Sequence, residues 1–574
     1  MNKHTIKTTL KYISKYKFIL CTSIVLSLIS VLLSLYIPIL IGNAIDFIVG
    51  PNDVDLNKVV SYIVQSIIFT IIVAALQWTY GVLNNKITYN IVKDVRIDAF
   101  NKIQSLPLRY LDCHPTGELI SKIITDTDQF ADGLLLGFTQ LFTGIVTIIT
   151  TLIFMVCLSW KVTIAVVVLT PLSLFIASFI AKKTNGLFVR QSEIRGEQTA
   201  FTDEMIGGLK VIKAFSRTEC VVQDFSKINN DLEKSSLKAT FFSSLTNPVT
   251  RFVNSVVYAF VAFLGAILVP GSLTVGGLTI FLSYANQYTK PFNEISGVIA
   301  EMQNALACAS RIFALIDEPS QSVEPSAVLA NDAGHIVFQD VSFCYNANKP
   351  LIQRLSLDVK PGMKVAIVGP TGCGKTTLIN LLMRFYDVND GNIYIDGESI
   401  YKITRSSLRD SFGMVLQETW LSSGTIKENL TFGNPEASDD EIINAAKAAH
   451  AHSFIKKLPQ GYDTIIEEGE GGLSQGQKQL LCIARAMLSN PNMLILDEAT
   501  SSIDTRTEQY IQEAFAKLMH GRTSFIVAHR LSTVKNADLI LVMKDGNVIE
   551  QGNHDQLIAC GGFYKELYES QFAV

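Results

Sequence analysis

The sequence contains little charge for its length. Of its 574 residues, 17% are charged and 48% are hydrophobic, and the mean hydropathy is +0.30. An ordinary soluble domain carries about 25% charged residues. The net charge is -4 and no basic stripe runs along the chain, so nucleic acid is not expected as a partner. Part of the chain is therefore expected to lie in lipid.

The sequence also lacks a disulfide framework. Its nine cysteines are scattered through both halves, and none forms a pair in a predicted external loop, so reduced thiols are expected. The first apolar run is too long for a cleavable signal peptide and has no small-residue cleavage site near its end. These absences do not favour a small secreted domain stabilised by disulfides.

Charged side chains are missing from four runs that each reach the roughly 20 residues needed to cross a bilayer, at residues 18–45, 59–85, 133–160 and 162–181. A fifth run, 252–289, is too long for one crossing. It is interrupted by Pro270-Gly271 and Gly276-Gly277, which predicts two helices joined by a turn. We therefore predict a transmembrane domain over residues 1–318, with long cytoplasmic helix extensions and six spans at about 18–45, 59–85, 133–160, 162–181, 248–269 and 274–296.

The distribution of lysine predicts the orientation. Five lysines precede the first span, whereas the three short loops on the other side carry only two: Lys3, Lys7, Lys11, Lys15 and Lys17 against Lys58 and Lys161. Basic residues favour the cytoplasmic side. We expect a multi-pass protein of the inner (cytoplasmic) membrane with both termini in the cytoplasm.

The composition changes after Pro319. Residues 319–334 form a polar, irregular linker, and residues 335–574 alternate short β-branched runs with helical patterns, which predicts an α/β domain. A strand at 365–368 and a helix from Thr377 flank Gly369-Pro370-Thr371-Gly372-Cys373-Gly374-Lys375-Thr376. This loop matches the phosphate-binding pattern GxxxxGK[ST]. Glycines let main-chain N–H groups approach phosphate, Lys375 supplies a positive charge, and the Thr376 hydroxyl is a ligand for Mg²⁺.

A second apolar strand, residues 492–496, ends in Asp497 and Glu498. Neighbouring strand residues point to opposite faces, so the two carboxylates need not share one role. Asp497 suits the binding of Mg²⁺, and Glu498 suits the polarisation of an attacking water in phosphoryl transfer.

The stretch Leu473-Ser-Gln-Gly-Gln477 between these motifs resembles the LSGGQ signature of ATP-binding cassette (ABC) proteins. The resemblance implies that Tyr345 stacks on adenine and that Gln417, in the Q-loop, helps to bind Mg²⁺. It also implies that the signature residues Ser474, Gly476 and Gln477 cap a γ-phosphate. Asp504 then belongs to the D-loop, and His529 is the switch histidine. With Thr377 and the phosphate loop, they complete the predicted ATP and Mg²⁺ site, in which Glu498 and His529 are catalytic.

Six spans followed by one cassette resemble a half-transporter of the exporter type, similar to multidrug and lipid exporters. The implied fold is a membrane α-helical bundle fused to an α/β P-loop nucleotide-binding domain. The family also implies two cassettes that enclose ATP between them, and coupling helices here near residues 116–121 and 207–214. ATP-driven export of amphipathic small molecules or lipids is the expected function. A peptide exporter and an ATP-gated channel or regulator remain alternatives.

Two departures from the family pattern concern the partner. Gln475 replaces the usual glycine of the signature, and residues 467–472 lack the arginine that is usual in exporters. Such departures resemble chains that pair with a different half-transporter and form one weakened ATP site. We expect a heterodimer rather than a homodimer, with this chain supplying the competent Glu498.

Overall fold

The computed structural model describes residues 3–48, 54–268, 274–322, 325–329, 333–346, 349–416, 419–466, 472–497, 503–527 and 534–572. The chain divides into two compact units. Unit 1 comprises Met1–Leu106 and His114–Pro319, and unit 2 comprises Pro107–Cys113 and Ser320–Val574.

Unit 1 is helical throughout its described residues, apart from short connections. Its helices are α1 (Lys3–Ser14), α2 (Lys17–Asp46), α3 (Leu56–Ser105), α5 (Thr116–Ile123), α6 (Thr125–Leu136), α7 (Phe142–Leu158), α8 (Trp160–Gly207), α9 (Leu209–Ala214), α10 (Thr218–Ser244), α11 (Thr246–Leu268) and α12 (Val275–Asp317). A π-helical turn, Gly137–Leu141, joins α6 to α7. Helices satisfy their own backbone hydrogen bonds, which is what a lipid environment requires.

Three helical segments among the described residues are long and apolar enough to cross a membrane: Lys17–Asp46, Leu56–Ser105 and Thr116–Leu158. Arg251–Ile267 is a shorter apolar segment. Helices α8, α11 and α12 occupy the residues for which the fourth, fifth and sixth spans are predicted.

Two buried clusters hold the helices of unit 1 together. One surrounds Leu35 and Tyr284, whose hydroxyl donates to the Leu35 carbonyl at 2.7 Å. The other surrounds Ile91 and Phe313 and includes Tyr12 of α1. The Tyr12 hydroxyl also donates to Asp98 at 2.6 Å, and burial together with this hydrogen bond raises the pKa of Tyr12. Helix α1 is thereby fixed against α3.

In the part that the structure describes, unit 2 is an α/β unit with three sheets. Its strands are β1 (Ile336–Phe343), β2 (Ile352–Val359), β3 (Lys364–Val368), β4 (Asp390–Ile395), β5 (Glu398–Ser399), β6 (Phe412–Val415), β7 (Gly424–Thr425), β8 (Ile465–Ile466), β9 (Met493–Asp497), β10 (Thr523–Val527), β11 (Leu539–Lys544) and β12 (Asn547–Gly552). Its helices are α4 (Leu108–Cys113), α13 (Lys375–Leu382), α14 (Arg405–Asp410), α15 (Ile426–Thr431), α16 (Asp439–Ala448), α17 (His452–Ile455), α18 (Gln475–Ser489), α19 (Thr505–Met519), α20 (His554–Cys560) and α21 (Phe563–Phe572). Strands β2-β1-β4-β5 form one antiparallel sheet, and β7-β8 form a small one.

The central sheet has the order β12-β11-β3-β10-β9-β6, and all of its pairs are parallel except the edge pair of β11 with β12. Successive residues of β3 enter opposite cores: Ala366 joins one buried cluster and Val365 and Ile367 join the other. This alternation follows from the two-residue period of a strand. A parallel sheet covered on both faces explains why its strands read as continuous apolar runs.

The structure has the predicted order of a helical region followed by an α/β region. The segment Pro107–Cys113 belongs to unit 2 although both of its flanking segments belong to unit 1. The residues predicted for the first coupling helix, 116–121, lie in α5 of unit 1. The second was expected near 207–214, where α9 lies.

Candidate nucleotide-binding site

The loop between β3 and α13 has a backbone that only glycine tolerates well. Gly374 precedes α13 with φ of 104°, and Gly369 begins the loop with φ of 153°. A Cβ added to Gly369 would lie 2.2 Å from the carbonyl oxygen of Met543. Glycine is therefore required by conformation at Gly374 and by close approach at Gly369. The result is a tight loop that presents main-chain N–H groups at a helix N-terminus.

Lys375 lies in the first turn of α13 and is 8% exposed. Its ammonium group donates to the carbonyl oxygens of Gly369 and Pro370 at 2.8 and 3.0 Å, and its Nζ lies 4.0 Å from Sγ of Cys373. Carbonyl groups of the loop thus bind the ammonium group of Lys375. A positive charge and a helix N-terminus at one place form an anion-binding site.

The carboxyl edge of the central sheet brings a second motif to this loop. Asp497 ends β9 and is 8% exposed, and in the parallel register it lies level with Val527 of β10, which pairs with Ile367 of β3. Ile367 lies two residues before Gly369. Ligands of open α/β sheets bind outside the carboxyl ends of the strands. The predicted carboxylate and the predicted phosphate loop therefore lie at one edge.

Three of the predicted site residues, Gln417, Glu498 and His529, lie outside the described residues. Thr371, Gly372 and Thr376 are exposed on the phosphate loop and the first turn of α13, whereas Cys373 and Thr377 are buried.

Tyr345 follows β1 and connects the predicted adenine site to the phosphate loop. Its ring packs edge-on against Phe343 and Tyr386, with centroids 4.9 and 5.0 Å apart. Its hydroxyl lies 3.2 Å from Oγ1 of Thr377 in α13. The side chain is about one-third exposed, so one aromatic surface stays accessible. This geometry can present a ring to a planar base.

The signature residues begin helix α18. Ser474 is its N-cap: its hydroxyl accepts from the Gln477 N–H at 3.3 Å, and the Gln477 side chain accepts from the Ser474 N–H at 2.9 Å. This capping box fixes the start of the helix. Gln475 is exposed in the first turn, so the fold accommodates its side chain.

Gly476 is buried for a packing reason that the sequence pattern did not reveal. A Cβ there would lie 2.4 Å from Cγ2 of Thr507 in α19. Asp504, in the predicted D-loop, caps α19 by accepting from the Thr507 N–H at 3.0 Å, and this hydrogen bond lowers the pKa of its carboxyl. Signature and D-loop residues therefore meet at the junction of α18 with α19.

The sequence assigns no role to two residues of α4 that contact Tyr345 and Tyr386. The Arg109 guanidinium donates to the Tyr345 carbonyl at 3.1 Å, and the Tyr386 hydroxyl donates to the Asp112 carboxylate.

The described residues fit a nucleoside triphosphate. The glycine-lined loop, the Lys375 charge and the N-terminus of α13 suit phosphates, and Tyr345 suits a base. Thr376 and Asp497 are oxygen ligands of the kind that Mg²⁺ takes.

Comparison with known proteins identifies the family of this chain. Residues 20–292 match the ABC transporter transmembrane region, and residues 352–501 match the ABC transporter family. The fatty acid ABC transporter ATP-binding/permease protein of Mycobacterium bovis is 40% identical over 91% of this chain and 83% of its own length. A putative multidrug export ATP-binding/permease protein of Staphylococcus aureus is 35% identical over 99% of this chain and 100% of its own length.

A solved structure of a bacterial Atm1-family ABC exporter with ATP bound superposes with a TM-score of 0.81 at 27% identity. The match covers 97% of this chain and 99% of that one. With its membrane helices and its phosphate loop in one polypeptide, this chain belongs to the ABC transporter family and is an ATP-hydrolysing half-transporter of the exporter type.

Proposed function

We propose that this chain exports amphipathic molecules from the cytoplasmic side of the membrane by alternating access driven by ATP hydrolysis. The observation that carries the proposal is the geometry of the phosphate loop. Lys375 donates to carbonyl oxygens of its own loop, and this loop lies at the carboxyl edge of the central sheet, where Asp497 ends β9. Because this site and the apolar membrane helices belong to one chain, ATP hydrolysis at the site can drive transport along those helices.

Each residue of the site has a proposed role. Lys375 and the loop N–H groups bind phosphate oxygens, and Tyr345 stacks on the base. Thr376, Gln417 and Asp497 hold Mg²⁺, which neutralises phosphate charge when it is bound. Glu498 accepts the proton of the attacking water, and His529 orients that water.

The relatives suggest the class of substrate. The Mycobacterium bovis relative is named for fatty acids and the Staphylococcus aureus relative for multidrug export. Both kinds of molecule combine an apolar body with a polar group. We propose the same class here, with a fatty acid as the first substrate to test.

We further propose that two half-transporters enclose the nucleotide and that the partner is a different chain. Gln475 supports this, since it replaces the usual glycine where the signature would face the partner's site. Both termini are proposed to lie in the cytoplasm of an inner-membrane protein, because the lysines concentrate before the first span. Mass spectrometry of the subunits that co-purify tests whether the partner is a different chain. A stable homodimer with full substrate-stimulated ATPase activity would exclude the heterodimer.

The test of transport uses inside-out vesicles that contain the complex. ATP should drive the uptake of radiolabelled palmitate against a gradient, and Lys375→Ala should abolish this uptake. Uptake that only equilibrates the palmitate would indicate an ATP-gated channel instead. ATP-dependent uptake of a peptide, without uptake of palmitate or dyes, would favour the peptide exporter.

A further inference from the structure

Unit 1 contains an apolar cavity of about 490 Å³ that the nucleotide site does not explain. It lies between α1, α2, the α6–α7 segment and α12. None of its described lining residues is charged, and representative ones are Leu10, Ile24, Phe138, Phe142 and Leu306. The volume falls within the roughly 300–1,000 Å³ of small-molecule sites.

The α6–α7 segment forms a long wall of the cavity. Its lining runs from Phe130 to Ile145 of that segment, a rise of about 22 Å in helical geometry. The π-helical turn Gly137–Leu141 lies midway and contributes Gly137, Phe138 and Leu141 to the wall. Such turns often occur at functional sites.

The polar atoms at the inner wall already have partners. The Ser23 hydroxyl donates to the Asn84 side chain at 2.5 Å, and the Ser27 hydroxyl lies 3.2 Å from that of Thr143. Ser23, Ser27 and Asn84 are all at most 3% exposed. The cavity therefore offers an apolar surface to its occupant and few unsatisfied hydrogen-bonding groups.

Helix α1 forms the outer wall and carries charge beside it. Ile6, Leu10 and Ile13 line the cavity, and the exposed Lys7 and Lys11 each follow a lining residue directly. An amphipathic helix with lysines beside its apolar face lies in the membrane interface, where it attracts anionic head groups. The exposed Asp132 on α6 and Glu301 on α12 repel an anion. The α1 side of the cavity is therefore the favourable side for an anionic group.

The apolar lining suits one flexible apolar chain, and the lysines of α1 suit one anionic group at the end of that chain.

We propose that this cavity binds a single-chain carboxylate amphiphile, with its acyl chain between α1, α2 and the α6–α7 segment and its carboxylate beside Lys7 and Lys11. The site deepens the proposed function, because it is an entry position for the proposed substrate class, and its substrate identity rests on that function.

The experiment labels the purified complex in nanodiscs, without ATP, with a palmitate analogue that carries a photoreactive diazirine in its chain. Mass spectrometry should place the label on α1 and the α6–α7 segment, and unlabelled palmitate should compete. Gly137→Phe fills the cavity and should reduce labelling roughly tenfold. Ile149→Phe adds the same ring at an exposed position of α7 and should label like wild type.

Three further variants guard against misfolding and test the charge. Leu10 is 58% exposed, so Leu10→Gln should fold normally and still reduce labelling. Lys7→Glu with Lys11→Glu should weaken palmitate competition, whereas Lys93→Glu, at an exposed position of α3, should not.

Three results would overturn the proposed site: label outside these helices, competition by a diacyl phospholipid but not by palmitate, and a cross-link that shows a partner's helix in the cavity.

The labelling experiment and the transport experiment test different proposals. Cavity labelling without ATP-dependent palmitate uptake keeps the site and removes palmitate as cargo. Uptake without cavity labelling keeps the proposed function and removes the site.

Discussion

The Arg311 guanidinium donates two hydrogen bonds to the Asp126 carboxylate, at 2.6 and 2.8 Å, and so joins α12 to α6. The Asp126 side chain is 10% exposed and that of Arg311 is 53% exposed. The pair raises the pKa of Arg311 and keeps it charged. Loss of Arg311 would leave a buried carboxylate without its cation.

We expect Arg311→Gln to lower the free energy of unfolding by about 2 kcal/mol, less than a fully buried pair because Arg311 is half exposed. The double variant Asp126→Asn with Arg311→Gln should recover part of this loss. Chemical denaturation in detergent measures both variants. The exposed pair Arg96–Asp128 is the matched control and should contribute at most about 1 kcal/mol. Equal effects at the two pairs would contradict the argument.

The crossing of α2 and α12 depends on glycine. A Cβ on Gly276 would lie 2.0 Å from the carbonyl oxygen of Gly42, and the neighbouring Asp46 carboxylate accepts from the Gly276 N–H at 2.7 Å. We therefore predict that Gly276→Ala separates the helices and lowers the thermal unfolding midpoint. Gly81→Ala is the control, because nothing lies within 4 Å of its Cβ. It should be neutral or slightly stabilising, since alanine favours helix by up to about 1 kcal/mol. A neutral Gly276→Ala would show that the crossing is not tight.

The packing of Gly476 against Thr507 predicts a defect in stability as well as in ATP turnover. Gly476→Ala should destabilise the protein by about 1–3 kcal/mol through overpacking. Thr507→Ser removes the methyl group that a Cβ would meet, so the double variant should regain stability in thermal unfolding. If Gly476 acts only on phosphate, Gly476→Ala will unfold like wild type and the double variant will not regain activity.

Glu498 gives a prediction that separates binding from chemistry. Glu498→Gln keeps the size of the side chain and removes its basicity, so the complex should bind ATP but hydrolyse it at a rate lower by about 100-fold or more. Nucleotide retention on a filter and phosphate release measure the two steps. Near wild-type turnover in the purified complex would exclude Glu498 as the general base.

Much of this site follows from sequence because its residues are close along the chain. Gly369 to Lys375 form one loop, and the motif specifies both its backbone and its position at the end of a buried strand. The contacts that were not predicted join distant segments. Arg109 with Tyr345, Asp112 with Tyr386, and Gly476 with Thr507 depend on how helices and strands pack, and no local pattern encodes that packing. The cavity of unit 1 is a further case, since residues of six helices (α1, α2, α3, α6, α7 and α12) and of a π-helical turn line it.

Tyr345 allows the contribution of the base to be measured apart from that of the phosphates. Stacking of a base on an aromatic ring contributes about 1–3 kcal/mol, so Tyr345→Ala should raise the Kd for ATP by roughly 5- to 150-fold. Tyr345→Phe keeps the ring and loses only the contact with Thr377, so its effect should be a few-fold at most. Calorimetry with ATP and with inorganic tripolyphosphate distinguishes stacking from a general disturbance, because tripolyphosphate has no base. Both variants should bind tripolyphosphate as wild type does. Weaker tripolyphosphate binding by Tyr345→Ala would mean that the ring supports the phosphate loop through Thr377 and does not stack on the base.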